Sequence, residues 1–151
     1  AQVLAAGAAR VVFGTSAVTS PAFLREAVAE IGDRIAVAVD TDGEWIMVRG
    51  WTAKAGRLVD VLPALEEAGA RRFLITSVSR DGTQTGPDLD LYRRIRELTD
   101  AELIASGGVR TAEHVAALAA AGLHAVVVGT ALYEGNLTLE DAAAAVEAAA
   151  P

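Results

Sequence analysis

The feature that most constrains the fold is a short motif that occurs twice, each time at the end of an apolar run. Val12-Phe13-Gly14-Thr15 resembles Val127-Val128-Gly129-Thr130, and the glycines of the two copies are 115 residues apart. Four predicted strand–helix units separate the copies. Because four units are half of an eight-unit barrel, the repeat indicates a duplicated half-barrel and favours a (βα)8 barrel over an open doubly wound sheet.

The whole chain can be divided into such units, in which short β-branched runs alternate with longer runs rich in alanine and leucine. The apolar runs are nearly continuous, which is typical of parallel strands covered on both faces. The predicted strands are 11–13, 35–39, 72–75, 103–105 and 125–128, with a small extended flap at 44–48. The predicted helices are 21–31, 58–68, 88–98, 112–121 and 139–149. Ser20 and Thr111 are their predicted N-caps, and Gly69 and Gly122 are predicted to end two of them.

The number of units predicts an α/β fold with one partial barrel domain over residues 1–151. A full barrel takes about 250 residues. We therefore expect this chain to hold about strands four to eight, with about three strands lacking on the N-terminal side. The open edges near Val11 and Ala125 would favour self-association or pairing with a complementing N-terminal segment.

Composition excludes several classes of partner. The net charge is −7, from 20 acidic and 13 basic residues, so neither nucleic acid nor an anionic membrane surface is expected to bind. No apolar run reaches the roughly 18 residues of a membrane span. The chain has no cysteine and only two histidines, so we expect no disulfide and no metal site.

Three glycine-containing turns follow predicted strands, namely Gly14-Thr15, Gly107-Gly108 and Gly129-Thr130. Glycine lets backbone N–H groups approach an anion, since it has no Cβ. In phosphate-binding barrels the last two strand–helix loops form one such site, here Gly107-Gly108 with Gly129-Thr130. Gly14-Thr15 lies half a barrel away, so two opposed sites would suit a small bis-phosphate substrate. The alternative is that these glycines only make tight turns.

Two carboxylates are candidate acid–base groups. Asp40 ends the second predicted strand, where a carboxylate of a barrel points into the active-site mouth. Asp81 lies in the long polar loop after the third strand, in which Thr76 and Thr83 are candidate phosphate or sugar ligands. Each aspartate has a structural alternative, because both lie at Asp-Gly turns or next to one.

Arg49-Gly50-Trp51 follows Asp40 in the chain. Arginine binds phosphate with two parallel hydrogen bonds, and tryptophan stacks on planar heterocycles. A tryptophan in a loop is also commonly a packing residue, so both interpretations remain open at this point.

These pieces together make the sequence resemble the histidine-biosynthesis isomerases that act on a phosphoribosyl-formimino-aminoimidazole carboxamide ribotide, including the actinobacterial phosphoribosyl isomerases. The resemblance extends over essentially the whole length. It is carried by Val-Val-Phe-Gly-Thr at 11–15, Asp40, Arg-Gly-Trp at 49–51, Arg-Asp-Gly-Thr at 80–83, Ala-Ser-Gly-Gly-Val at 105–109 and the segment 128–135.

The resemblance implies an Amadori rearrangement of an aminoaldose phosphate to an aminoketose phosphate, without a cofactor or metal, in the cytoplasm. It implies that Asp40 donates a proton, that Asp81 approaches the reacting sugar and that Trp51, with Arg49 nearby, stacks on the imidazole carboxamide. The glycine turns, with Thr130 and Thr15, would hold the two phosphates.

The family's first-strand aspartate and third-strand glycine loop have no counterpart in this chain, so it is expected to be inactive alone. Two alternatives remain open from sequence. One is the sister cyclase of the same pathway, and the other is a non-catalytic phosphate-binding half-barrel that assembles with another chain. A second role in tryptophan synthesis also remains open.

Overall fold

The computed structural model describes residues 2–149. Its strands are β1 (Val11–Phe13), β2 (Ile35–Asp42), β3 (Trp45–Val48), β4 (Ala53–Arg57), β5 (Arg72–Ser77), β6 (Glu102–Ser106) and β7 (Ala125–Val127). Its helices are α1 (Gln2–Ala5), α2 (Thr15–Thr19), α3 (Pro21–Ile31), α4 (Leu58–Glu67), α5 (Leu89–Leu98), α6 (Ala112–Ala120), α7 (Thr130–Tyr133) and α8 (Leu139–Ala149), with a 3-10 turn at Gly32–Arg34.

Five strands run parallel and lie side by side in chain order, β1-β2-β5-β6-β7. A doubly wound sheet would reverse its strand order at a switch point, and this sheet does not. The order confirms the predicted α/β fold and is that of a partial (βα)8 barrel. Within residues 2–149, β1 and β7 remain at opposite edges of the parallel set and do not pair with each other.

The predicted flap is one arm of an antiparallel hairpin. β3 pairs with the C-terminal part of β2, Asp40 opposite Met47, and β4 then pairs with β3. The second arm, β4, was not predicted, because Ala-Lys-Ala-Gly-Arg lacks the β-branched and aromatic residues that favour strands. Its pairing with β3 therefore determines its conformation, and the Lys54 ammonium lies 4.4 Å from the centre of the Trp45 ring.

One face of the sheet carries the core. Side chains on this face, such as Val37, Val39 and Phe73, are fully buried in one cluster with apolar residues of the helices. On the opposite, inner face, Val12 of β1 is 52% exposed and Val127 of β7 is 46% exposed. The expectation that both faces are covered is therefore wrong for residues 2–149, because five strands enclose the inner face only in part.

Helix ends follow the predicted signals with one exception. The Ser20 side chain accepts a hydrogen bond from the Phe23 N–H at 3.2 Å and caps α3. Thr111 stands at the N-cap of α6, but its side chain makes no capping hydrogen bond. Gly69 and Gly122 have φ of +103° and +79° and follow the ends of α4 and α6, as predicted.

The short helices α2 and α7 were not predicted, and several strands are longer than their apolar runs. β2 extends to Asp42 and β5 to Ser77, beyond the predicted ends at 39 and 75. Backbone pairing does not depend on side-chain polarity, so a strand continues as long as its neighbour does. The extensions bring Asp40 and Thr76 into the sheet itself.

We expect Val39→Ala to lower the free energy of unfolding by about 2 kcal/mol, because its side chain is fully buried. The matched control is Val12→Ala, which should cost less than about 1 kcal/mol because half of that side chain is already exposed. Urea unfolding followed by circular dichroism measures both values. Equal losses would contradict the assignment of the core to the helix-covered face.

Candidate functional site

The carboxyl ends of the five parallel strands lie at one edge of the sheet and form a rim. Register places Asp40 of β2 beside Thr76 of β5, Thr76 beside Ser106 of β6, and Ser106 beside Val127 of β7. Residues aligned in this way point to the same face of a parallel sheet. The rim therefore carries a row of polar side chains on the inner face, which is where barrels place their active sites.

A cavity of about 90 Å³ opens at the β6 and β7 end of this rim. Three loops line it, those after β5, β6 and β7. The lining residues are Asp81, Gly82, Gln84, Ser106, Gly107, Gly108, Val109, Val127, Gly129 and Thr130. The cavity thus contains four of the residues predicted to hold a phosphate, together with the predicted carboxylate of Asp81. Gln84 and Ser106 were not singled out from the sequence.

Gly107 and Gly108 are required by close packing. Both have positive φ, +100° and +81°. A Cβ on Gly107 would lie 2.9 Å from the Ser77 carbonyl oxygen, and a Cβ on Gly108 would lie 2.3 Å from that of Gly86. The Gly86 N–H also donates to the Gly108 carbonyl at 2.9 Å. The tight-turn interpretation therefore accounts for these two glycines, whose turn supports the loop after β5.

Gly14 and Gly129 differ from that pair. Their φ and ψ angles are similar, −99° and −117° at Gly14 and −111° and −95° at Gly129, and each occupies the N-cap of a short helix without a side-chain capping bond. Nothing lies within 4 Å of where a Cβ would be on either residue. The two copies of the motif are thus alike in backbone, and each leaves open space beside the first N–H groups of a helix.

The hairpin loop between β3 and β4 lies against the other end of the rim. The Trp51 indole N–H donates to Asp40 Oδ2 at 2.8 Å, and the Arg49 backbone N–H donates to Thr15 Oγ1 at 3.1 Å. Arg49, Gly50 and Trp51 have successive φ values of +55°, +64° and +67°. Left-handed backbone is uncommon for arginine and tryptophan, and such residues cluster at functional sites.

Trp51 was predicted to stack on a ligand. In the structure its N–H holds one oxygen of Asp40, while 40% of the residue remains exposed. Thr15 likewise accepts a hydrogen bond through its hydroxyl oxygen, which leaves its hydroxyl proton free to be donated. The loop therefore contacts the two predicted site residues near β1 through polar groups.

The other residues predicted for the site lie in different places, and only some of them line the cavity. Thr76 is almost fully buried within β5, between Asp40 and Ser106. Thr83 donates to the Arg80 carbonyl at 2.7 Å and bonds the Thr85 hydroxyl, so it closes its own loop and does not line the cavity. Asp81 lines the cavity and Asp40 does not, so the two carboxylates lie at different parts of the rim.

Tyr92 of α5 is a positioning residue that sequence reasoning missed. Its fully buried hydroxyl lies 3.0 Å from the Ser106 N–H and 2.9 and 3.2 Å from the carbonyl oxygens of Ser106 and Ile75. Burial raises the pKa of this hydroxyl to about 12. It therefore stays neutral at physiological pH and holds the end of β6, where the Gly107 turn begins. Helical spacing puts Tyr92 on one apolar face with Leu89 and Ile95, but it does not indicate which atoms the Tyr92 hydroxyl meets.

Two structural findings concern other classes of site. Among residues 2–149, no three histidine, aspartate or glutamate side chains are grouped so as to hold a metal ion. The helices in the same part of the chain are all too short or too polar to traverse a lipid bilayer.

Comparison with known proteins gives a consistent set of relatives. A family model described as "Histidine biosynthesis protein" matches residues 1–138. Proteins from Frankia alni, Thermobifida fusca and Saccharopolyspora erythraea are each named 1-(5-phosphoribosyl)-5-((5-phosphoribosylamino)methylideneamino) imidazole-4-carboxamide isomerase. They are 45%, 44% and 46% identical to this chain over 93%, 95% and 95% of its length. The matches cover 58%, 60% and 62% of the relatives, so the chain spans about three fifths of their length.

Tyr92→Phe is expected to lower the free energy of unfolding by about 1–2 kcal/mol at neutral pH, because the Ser106 N–H loses its acceptor.

The Tyr92 hydroxyl also makes the free energy of unfolding depend on pH. Burial raises its pKa in the folded chain to about 12, above the ordinary tyrosine pKa of about 10, so its contribution is complete below pH 10 and is lost as pH rises towards 12. Urea unfolding at successive alkaline pH values should show a shallower decline for Tyr92→Phe than for the unaltered chain. The control is Tyr133→Phe, since Tyr133 is 93% exposed, and equal slopes in the two variants would contradict the assignment.

Replacement by alanine should cost much more stability at the closely packed Gly108 than at Gly129, which has open space beside it. Gly108→Ala should lower the free energy of unfolding by about 3 kcal/mol, because the new Cβ would collide with the Gly86 carbonyl at a left-handed position. Gly129→Ala should cost less than about 1 kcal/mol, because its Cβ would enter open space. Chemical unfolding of both variants measures the difference. A similar cost for both would show that the Gly86–Gly108 contact does not fix the turn.

Proposed function

The chain belongs to the histidine biosynthesis protein family, and we propose that it carries part of the active site of an isomerase. The reaction is an Amadori aldose-to-ketose rearrangement of a bis-phosphorylated aminoribosyl imidazole carboxamide. The relatives described above support the reaction, because each is named as an imidazole-4-carboxamide isomerase with two phosphoribosyl groups in its substrate name.

One observation carries the proposal, namely the conformational match between Gly14 and Gly129 at opposite ends of one rim. Each glycine precedes a threonine and leaves open space where an anion can meet backbone N–H groups. Two such turns suit a substrate with a phosphate at each end. Thr130 and the glycines of the cavity would bind one phosphate, and Thr15 would bind the other.

The rearrangement moves protons at four places on the sugar. The ring oxygen gains a proton as the ring opens, and C2 loses its proton. C1 then gains a proton while the C2 hydroxyl loses its own and becomes a carbonyl. Acid–base groups must therefore stand between the two phosphate sites. Asp40 lies on the strand next to β1, and Asp81 lines the cavity near β7, so both meet this requirement.

We assign Asp40 to proton donation and Asp81 to the approach to the reacting sugar. Trp51 occupies Oδ2 of Asp40, which leaves Oδ1 for the substrate. The exposed part of the indole remains available to stack on the imidazole carboxamide, and Arg49 lies in the same loop. No metal or organic cofactor is needed for these steps, because every step is a proton transfer or a change at the sugar C–O and C–N bonds.

The exposed inner face supports a second element of the proposal. Val12 and Val127, on the two edge strands, are half-exposed, and within residues 2–149 the edge strands have no further partner. We propose that further strand–helix units from a complementing N-terminal segment complete the ring and supply the missing acid–base group. Closure by a second copy of the chain is the competing arrangement, in which the half-barrel would be a binding module only.

The test is complementation. We expect the chain alone to be inactive, and we expect isomerisation to appear when it is mixed with the N-terminal two fifths of the Thermobifida fusca relative. Asp40→Asn and Asp81→Asn should each lower the rate by about 10²- to 10⁴-fold, because each removes a group that transfers or accepts a proton. Conversion of the aminoaldose to the aminoketose, followed by absorbance, measures the rate.

Asp60→Asn is the matched control, since Asp60 is an exposed aspartate in the first turn of α4. It should leave the rate of the mixture unchanged. A folded, associated mixture that shows no turnover would overturn the proposed isomerase, and turnover by the chain alone would overturn the need for a complementing segment.

A further inference from the structure

A network of three side chains joins the loop after β5 to the segment after α7. Gln84 Nε2 donates to Glu134 Oε2 at 2.7 Å, and Asn136 Nδ2 donates to Gln84 Oε1 at 2.9 Å. Asn136 Nδ2 also lies 3.2 Å from the same Glu134 oxygen. Among residues 2–149, these are the hydrogen bonds that connect the two segments.

The donors and acceptors of this network are matched. A carboxylate only accepts, so Glu134 requires the amide nitrogen of Gln84 to face it, and the amide oxygen of Gln84 then faces the Asn136 nitrogen. Both ends of the Gln84 amide are thereby used. Hydrogen bonds to an ionised group are stronger and shorter than neutral ones, which agrees with the 2.7 Å separation.

The backbone is held in a fixed conformation on both sides of the network, at Gln84 and in the turn that carries Glu134 and Asn136. Gln84 has a φ of +55°, a left-handed conformation that persists only where the surroundings hold it. On the other side, the Asn136 and Leu137 N–H groups both donate to the Ala131 carbonyl, at 2.8 and 3.2 Å. Leu137 is buried, so this turn is anchored in the core and holds Glu134 and Asn136 next to each other.

Gln84 also lines the cavity between the loops after β5, β6 and β7, and Thr130, four residues before Glu134, lines the same cavity. We propose that Gln84, Glu134 and Asn136 form a latch that holds the β5–α5 loop against the segment after α7 and so sets the width of the anion site. This inference rests on the proposed function for the anion site itself. Because Glu134 and Asn136 are exposed, the latch adds little to global stability, and its role is positional.

Removal of the Glu134 carboxylate should have opposite effects on anion binding, depending on whether Glu134 is part of the latch or only a surface charge. A lone carboxylate near an anion site repels the anion, so its removal would tighten anion binding. In the latch, removal of Glu134 breaks one of the two hydrogen bonds of Gln84, so the loop that carries Gln84 and Asp81 loosens and binding weakens. The same weakening is expected from Gln84→Ala, which changes no charge.

The experiment measures inorganic phosphate binding by NMR titration of the full chain, together with hydrogen exchange of the amides in residues 80–86. We expect Gln84→Ala and Glu134→Ala each to raise the dissociation constant for phosphate by about three- to tenfold. The double variant should lose no more than Gln84→Ala alone, because Gln84→Ala already removes both hydrogen bonds of the Gln84 amide, including the one to Glu134. Exchange at residues 80–86 should be faster in all three variants. Glu147→Ala, which removes an exposed carboxylate of α8, is the control and should change neither measurement.

Unchanged exchange in Gln84→Ala, or tighter phosphate binding in Glu134→Ala, would overturn the latch. Failure of the unaltered chain to bind phosphate would instead overturn the proposed anion site. The exchange rates of the variants would in that case still decide whether the network holds the loop, so the two failures are distinguishable.

Discussion

The parallel pairing of β2, β5 and β6 determines where the polar side chains of the rim lie. Its register aligns Asp40, Thr76 and Ser106 on one face and brings all following loops to one edge. The alternate residues of the same strands face the helices and form the buried core. A shift of one residue in this pairing would exchange the two faces, placing the carboxylate of Asp40 under the helices and apolar side chains on the rim. Burial of the core therefore fixes the strand register, and with it the positions of the polar side chains on the rim.

The glycines of the rim serve two different purposes, although they look alike in sequence. Gly107 and Gly108 allow two backbones to meet, and a side chain at either position would push the loop after β5 away. Gly14 and Gly129 have empty space beside them. Packing explains the first pair without a ligand. It does not explain the second pair, and that difference is why the proposed phosphate contacts rest mainly on the repeated Gly-Thr turns.

Local signals predicted much of the fold. Apolar runs located the five parallel strands, and the capping residue Ser20 located the start of α3. What could not be predicted depends on long-range pairing. β4 has little intrinsic preference for a strand and forms because β3 is adjacent. Similarly, the sequence places Tyr92 on a buried helix face, but its hydrogen bonds to Ser106 depend on how α5 packs on the sheet. Of the residues predicted for the site, Asp40 and Thr76 lie on the rim, whereas Thr83 does not line the cavity, and their roles stay predictions. The side-chain network that includes Gln84 could not be predicted, because it depends on contacts across 50 residues.

Backbone strain and loop contacts occur together at this rim. Among residues 2–149, the residues other than glycine with positive φ are Arg49, Trp51 and Gln84. Each makes a hydrogen bond to a different loop or strand end, at Thr15, Asp40 and Glu134 respectively. A left-handed residue costs about 1–3 kcal/mol unless its surroundings hold it. The strain therefore persists because these cross-loop bonds, together with each loop's own bonds, fix the conformation. The loops around the rim are thus held in place by the protein's own hydrogen bonds, which is the preorganisation that the proposed active site requires.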